Sequence, residues 1–408
     1  MKLPSIFGFL FIFCSVFLNF VLRFGYFYWN SLVNPTSIRL VDNGALQYES
    51  FVMHRQILLF SLSSLPIGYL EYFGNTEYRA ILVSYFVSFL LILTHNIYIS
   101  VMCIDFLFWL IGAISLYIIS KYITGSSGIS YISAFLMTFS PLGIAWIGTS
   151  DARTAQFMIF PSFILLMIFV YVRNYAYCFF HYGLILFALS LSYSYHYVIM
   201  GTCIAYGFVF YRNRVYFISI FSLFICYFLI YQLFLFLISL LNLNIHYNLN
   251  DPKNYMTKFV LTDYFVSDPA MIFTFLFTKF WIIIDIFLYA FDCYSISIFT
   301  FSIIGIIYSS IFFRRIFFSS FFVTLFLSLL YGPAWVVMSN YPCVYISAAI
   351  GVHGLAKSAN LIFRIRQTYI LYFVIIFLLF SWATINQDLW GSADFVRAWW
   401  GNAWVVQM

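Results

Sequence analysis

The chain has 408 residues, of which 64% are hydrophobic and 8% charged, with a net charge of +6. Soluble domains carry about 25% charged residues; composition therefore excludes an ordinary water-soluble domain, and apolar runs of more than about 18 residues read as membrane spans. The 19 basic residues are scattered singly or in pairs, which excludes a nucleic-acid surface and reads instead as the topology signal of the positive-inside rule.

Lys2 followed by an apolar stretch to Leu22 has the form of an uncleaved signal-anchor, since no small-x-small cleavage pattern precedes the aromatic stretch Tyr26 to Trp29. A polar segment over 30–55 follows. Two shorter apolar runs come next, 57–70 and 80–96, and then runs at 99–120, 128–148, 155–172, 177–194, 196–211 and 215–240. A polar loop covers 241–270, and the run 271–292 carries Lys279 and Asp285. The last apolar runs are 297–313, 316–337, 342–356 and 368–385.

Charge orders these runs. Lys121, Arg173, Arg212, Arg214, Arg314, Arg315, Lys357, Arg364 and Arg366 are expected on the cytoplasmic side together with Lys2. The thirteen acidic residues then fall at or near the opposite face. From a cytoplasmic N-terminus this alternation holds if 57–96 crosses an even number of times and 271–292 is re-entrant or interfacial. Counting 57–70 and 80–96 as a pair gives about 13 crossings, and counting neither gives about 11; both stay open. The predicted fold is an all-α integral membrane protein, a polytopic helical bundle of about 11–13 transmembrane helices with no sizeable soluble domain. Residues 1–386 form the membrane domain, with non-cytoplasmic loops at 24–56, 149–154 and 241–270; residues 387–408 form a short non-cytoplasmic tail. A multi-pass protein of this kind belongs in the plasma (inner) membrane of a bacterium or in an endomembrane.

The seven cysteines are dispersed without a CxxC pair and read as small hydrophobes, with Cys293 and Cys343 the one pair that can approach near the outer face. Gly125-Ser126-Ser127-Gly128 reads as a tight cytoplasmic turn, since the Lys-Ser/Thr of a phosphate loop does not follow it.

Few residues can carry chemistry. Asp42 and Glu49 lie in the loop after the first span, where a carboxylate can act as general base toward a hydroxyl or ligate a hard cation; a solvated loop acid is the plainer reading. Ser150-Asp151-Ala152-Arg153-Thr154 sits between two long apolar runs, and charges so close to hydrocarbon tend to mark function. The plainer reading there is a helix-capping Asp with Arg153 reaching for head groups. His54, Arg55 and Arg79 can hold a lipid phosphate or make unspecific head-group contacts. His196, in SYSYHY, reads first as a structural imidazole, and His353, between two glycines, as a helix-packing residue. Asp251, Asp263 and Asp268 can add a third carboxylate, but nothing in their spacing selects one.

The arrangement resembles the GT-C glycosyltransferases, multispan enzymes that take a sugar from a polyprenyl-phosphate or polyprenyl-pyrophosphate lipid on the non-cytoplasmic side. Asp42 and Glu49 in VDNGALQYES match the position of the family's first-loop acidic motif. The stretch from Ser115 to Arg173 is similar to the family's span, basic turn, small-residue span ending in Ser-Pro, second acidic motif and further span, with Asp151 as the acid and Arg153 its basic neighbour. The resemblance covers about residues 1–215. It implies Asp42 and Asp151 as catalytic residues, and Arg153, Arg55, Arg79 and His54 as the donor-phosphate site, with Glu49 and His196 as further candidates. It also implies a divalent cation, Mg or Mn, on Asp42 and Asp151, and a polyprenyl-phosphate sugar as the lipid partner. The layout is similar to the oligosaccharyltransferase catalytic subunit as well, but departs from it where Trp399-Trp400-Gly401-Asn402 stands in place of a Trp-Trp-Asp-Tyr-Gly motif and Arg153 in place of a second acid. The protein mannosyltransferase and aminoarabinose transferase type, with monophosphate donors, fits the compact length better. Three alternatives stand beside the transferase: a non-catalytic GT-C-like subunit among other membrane subunits, a lipid or sugar transporter, and an organelle-encoded subunit of a respiratory complex, which the aromatic bias permits but no quinone, haem or metal-ligand spacing supports.

Overall fold

The computed structural model describes residues 5–33, 97–139, 156–189, 212–240, 296–331 and 340–363, with single helical positions at 90, 93, 94 and 205. Among the described residues the structure is wholly helical, with nine helices and no strand. They are α1 (Ile6–Val33), α2 (Ile97–Thr124), α3 (Ser127–Phe139), α4 (Gln156–Tyr171), α5 (Tyr175–Leu189), α6 (Arg214–Leu240), α7 (Ile296–Tyr308), α8 (Ile311–Tyr331) and α9 (Tyr341–Phe363).

Polar residues at the run boundaries start and stop these helices. Ser5, Ser126, Asn213 and Ser310 each offer a side-chain oxygen to the backbone N–H three residues on, at 3.2, 3.4, 3.2 and 3.3 Å, which is the N-cap bond. Gly125 ends α2 in the left-handed region (φ 69°). Arg173 does the same after α4 (φ 57°), with Asn174 N–H on the Phe169 carbonyl (2.9 Å) and Arg173 N–H on the Val170 carbonyl (3.1 Å). That pair of bonds is the Schellman motif.

The helices differ from the apolar runs in three places. Helix α1 continues beyond Leu22 to Val33, inside the expected 24–56 loop. The 297–313 run is broken at Ser309-Ser310, because Ser310 caps a new helix and places Arg314 at the end of its first turn, with Arg315 just after it. Helix α9 carries on past Lys357 to Phe363.

Ring contacts and hydrogen bonds fix the helix directions. Phe11 of α1 packs edge-on to Tyr131 of α3 (5.5 Å), and the Asn19 amide donates to the Thr138 carbonyl, so α1 and α3 run parallel. Phe106 near the start of α2 takes Phe20 at 5.4 Å, while Tyr117 near its end meets Tyr131 at 5.0 Å, so α2 runs against both. Tyr122, near the end of α2, lies near Tyr171 at the end of α4, so these two helices finish close together. The Tyr216 hydroxyl donates to the Met167 carbonyl at 3.2 Å, setting α6 against α4. Helices α7 and α9 are parallel, tied by Ser347 to Ser302 and by Tyr308 to Ser358.

Helices α2, α4 and α9 form the interior. Every residue of 158–170 in α4 and of 340–352 at the start of α9 is buried. A helix apolar on all sides belongs in the interior of a bundle. The periphery is apolar too: Phe7, Phe179, Ile218, Ile307, Phe322 and Leu361 are all more than half exposed. One described helical segment, Cys103–Thr124, is long and apolar enough to cross a membrane. At 1.5 Å per residue it spans about 33 Å, against about 30 Å of hydrocarbon.

Candidate functional site

Asp42, Glu49, His54, Arg55, Arg79, Asp151, Arg153 and His196 lie outside the described residues, as do Asp251, Asp263, Asp268, Lys279 and Asp285. The described helices nevertheless define the two ends of the bundle from which those segments depart.

One end is basic. Helix α2 finishes there with Lys121, whose ammonium donates to the Gly125 carbonyl (2.9 Å) and the Ser127 hydroxyl (2.7 Å), closing the turn into α3. Helix α4 finishes there at Tyr171, whose ring meets Tyr216 at the start of α6 (5.4 Å) and Phe312 at the start of α8 (4.9 Å). Those contacts bring the Arg173 turn, Arg212 and Arg214, and Arg314 and Arg315 to the same end. Arg314 also donates to the Ile306 and Ile307 carbonyls at 2.9 and 2.6 Å, satisfying the last turn of α7. Lys357 neighbours Ser358, which meets Tyr308 at 3.1 Å. Every basic residue whose side chain is described therefore lies at this end.

The opposite end is where α1 arrives, α3 finishes and α4 begins. The segment after Val33, which carries Asp42 and Glu49, and the segment 140–155, which carries Asp151 and Arg153, are joined to helix ends that point away from the basic end. Asp105 is the one acid whose side chain is described. It is buried (2% exposed), 16 residues before Lys121 on α2, a separation of about 24 Å along the helix.

This half of the bundle also holds buried polar groups that the run pattern alone did not select. Asn19 is fully buried: its amide meets the Thr138 carbonyl, and its Oδ1 has no hydrogen-bond partner. Ser162 Oγ, near the start of α4, and Asn340 Oδ1, just before α9, are likewise buried without a partner. The signal that finds Asn19 in the sequence is an amide inside an otherwise apolar run, since polar residues in spans face the bundle interior.

Among the described residues no three His, Cys, Asp or Glu side chains gather as a metal-holding group; the acids assigned to a cation, Asp42 and Asp151, lie outside them. Cys343 is a fully buried free thiol. His353, the expected packing residue, is half-buried between Gly351 and Gly354, both of which lie directly against α7.

No protein-family model matches the chain, and no curated protein matches its sequence.

Proposed function

We propose that this chain is a polytopic membrane glycosyltransferase of the GT-C type. It moves a sugar from a polyprenyl-phosphate lipid to an acceptor hydroxyl on the face opposite the basic end. The observation that supports this reading is the gathering of the described basic side chains at one end of the bundle. The described basic side chains share one end of an apolar-walled bundle, and the helices flanking both acidic segments terminate toward the other. The positive-inside rule makes the basic end cytoplasmic.

In the proposed reaction Asp42 takes the proton from the acceptor hydroxyl, whose oxygen attacks the anomeric carbon of the donor sugar. The bond from that carbon to the phosphate oxygen breaks with inversion, and the electron pair leaves on the polyprenyl phosphate. Arg153, with Arg55 or Arg79, stabilises the charge developing on the phosphate. Asp151 fixes the donor side of the same site. The test is sugar transfer by the purified chain from a polyprenyl-phosphate sugar. Alanine at Asp42 or Asp151 is expected to abolish transfer and leave membrane insertion intact; transfer retained by both variants refutes the assignment.

Asp105 favours a second reading, a lipid or sugar transporter, because ionisable groups buried in spans commonly mark a transport path. Uptake of labelled lipid or sugar into proteoliposomes, lost in Asp105→Asn, supports transport; transfer by the purified chain supports the enzyme.

A further inference from the structure

The basic end has a feature that the proposed transfer does not use. Tyr171 joins α4 to two peripheral helices, packing perpendicular to Tyr216 of α6 and tilted against Phe312 of α8. Arg173 follows Tyr171 by two residues, Arg214 precedes Tyr216 by two, and Arg315 follows Phe312 by three. Arg173, Arg212, Arg214 and Arg315 are exposed, and Arg314 is held at the same place by the α7 carbonyls. The backbone positions of Arg173, Arg214 and Arg315 therefore lie within about one helical turn of a three-ring cluster. Exposed cations gathered this way favour an anionic ligand.

The surface beside these arginines is apolar. Val215 and Ile218 on α6, and Ile311 and Phe318 on α8, are 44–69% exposed. A soluble anion answers the charge and leaves this surface wet. An acidic peptide does the same unless it also carries apolar side chains in register. A phospholipid with an anionic head group answers both, since its phosphate meets the guanidinium fork and its acyl chains lie along α6 and α8.

We propose that the Tyr171–Tyr216–Phe312 junction is the floor of a binding site for an anionic phospholipid of the cytoplasmic leaflet, with Arg173, Arg214 and Arg315 as its head-group ligands. The proposal rests on the membrane reading above and not on the transferase reading.

The experiment uses the full chain in detergent, with phosphatidylglycerol, phosphatidylcholine and glycerol 3-phosphate as probes, read by native mass spectrometry and thermal unfolding. Phosphatidylglycerol is expected to stay bound and raise the unfolding temperature, whereas the other two are not. The combined Arg173→Gln, Arg214→Gln and Arg315→Gln variant is expected to bind phosphatidylglycerol about a hundredfold more weakly. Its Lys counterpart is expected to keep most of the affinity. Each single substitution is expected to weaken binding about fivefold, so the proposal stays testable if the combined variant does not fold. Equal effects of phosphatidylcholine overturn the proposal, as does undiminished phosphatidylglycerol binding by the Gln variants. Equal effects of glycerol 3-phosphate overturn it in favour of a free phosphate ligand. Release of the protein from membranes by alkaline carbonate overturns the membrane reading and this proposal together.

Discussion

The Ser347 hydroxyl of α9 donates to the Ser302 carbonyl of α7 at 2.6 Å, in a seam where the two parallel helices touch backbone to backbone. A Cβ at Gly305 would overlap the Ser347 carbonyl, and one at Gly351 would overlap the Phe301 carbonyl. Close approach through small residues is the packing device available where no hydrophobic effect separates helix from lipid. Gly305→Leu or Gly351→Leu is therefore expected to cost about 3 kcal/mol or more, because neither backbone can yield. Ser347→Ala removes one hydrogen bond and is expected to cost only about 0.6 kcal/mol. Unfolding of the detergent-solubilised chain in increasing denaturant gives both values. Equal costs for the two kinds of substitution contradict the seam.

Arg173 occupies a left-handed position that favours glycine. Arg173→Gly is expected to raise stability by about 1 kcal/mol, the cost that a side chain imposes at such a φ. Thermal unfolding in a zwitterionic detergent is the measurement, since it removes any contribution from anionic head groups. A loss of stability there shows that the Arg173 side chain makes a contact worth more than the backbone cost.

Arg314 and Arg315 are neighbours with different work. Arg314 satisfies two carbonyls at the end of α7, while Arg315 is exposed. Arg314→Ala is expected to destabilise the fold by about 1 kcal/mol. Arg315→Ala is expected to change it by no more than about 0.5 kcal/mol. Denaturant titration of the two variants side by side decides this, and the reverse order contradicts the cap.

The two ends of the bundle make a prediction for labelling. In a background lacking the seven native cysteines, single cysteines placed at Asp42, Asp151, Gly125 and Arg212 are treated with a membrane-impermeant maleimide outside intact cells. Positions 42 and 151 are expected to react, and 125 and 212 only after lysis. Reaction of 151 and 212 from the same side contradicts the orientation.

Composition made helices legible, and boundaries only where a residue with a backbone role stands at the edge of a run. Helix α6 begins at Arg214, next to the expected 215, because Asn213 caps it. The α2–α3 break appears in the sequence as Gly125 and its serines, and in the structure as a left-handed glycine followed by a Ser126 cap. The break at Ser309-Ser310 left no comparable mark. A serine inside an apolar run barely changes its hydropathy, while its hydroxyl is enough to start a helix. Helix α9 outlasts its apolar run because a Lys such as Lys357 ends hydrophobicity without ending backbone hydrogen bonding. Of the candidate site, Asp42, Asp151 and Arg153 lie outside the described residues. Burial singles out Asn19, Ser162 and Asn340, and burial depends on contacts among helices far apart in the chain.

The central claim is that Asp42 and Asp151 serve one site. Cysteines placed at both positions in the cysteine-free background, in native membranes, can be joined by a short bifunctional thiol reagent. Efficient cross-linking within the monomer, suppressed by polyprenyl phosphate occupying the site, is the predicted result. Absence of cross-linking, with both thiols reacting freely with a monofunctional reagent, places the two acids in separate regions of the bundle and contradicts the account.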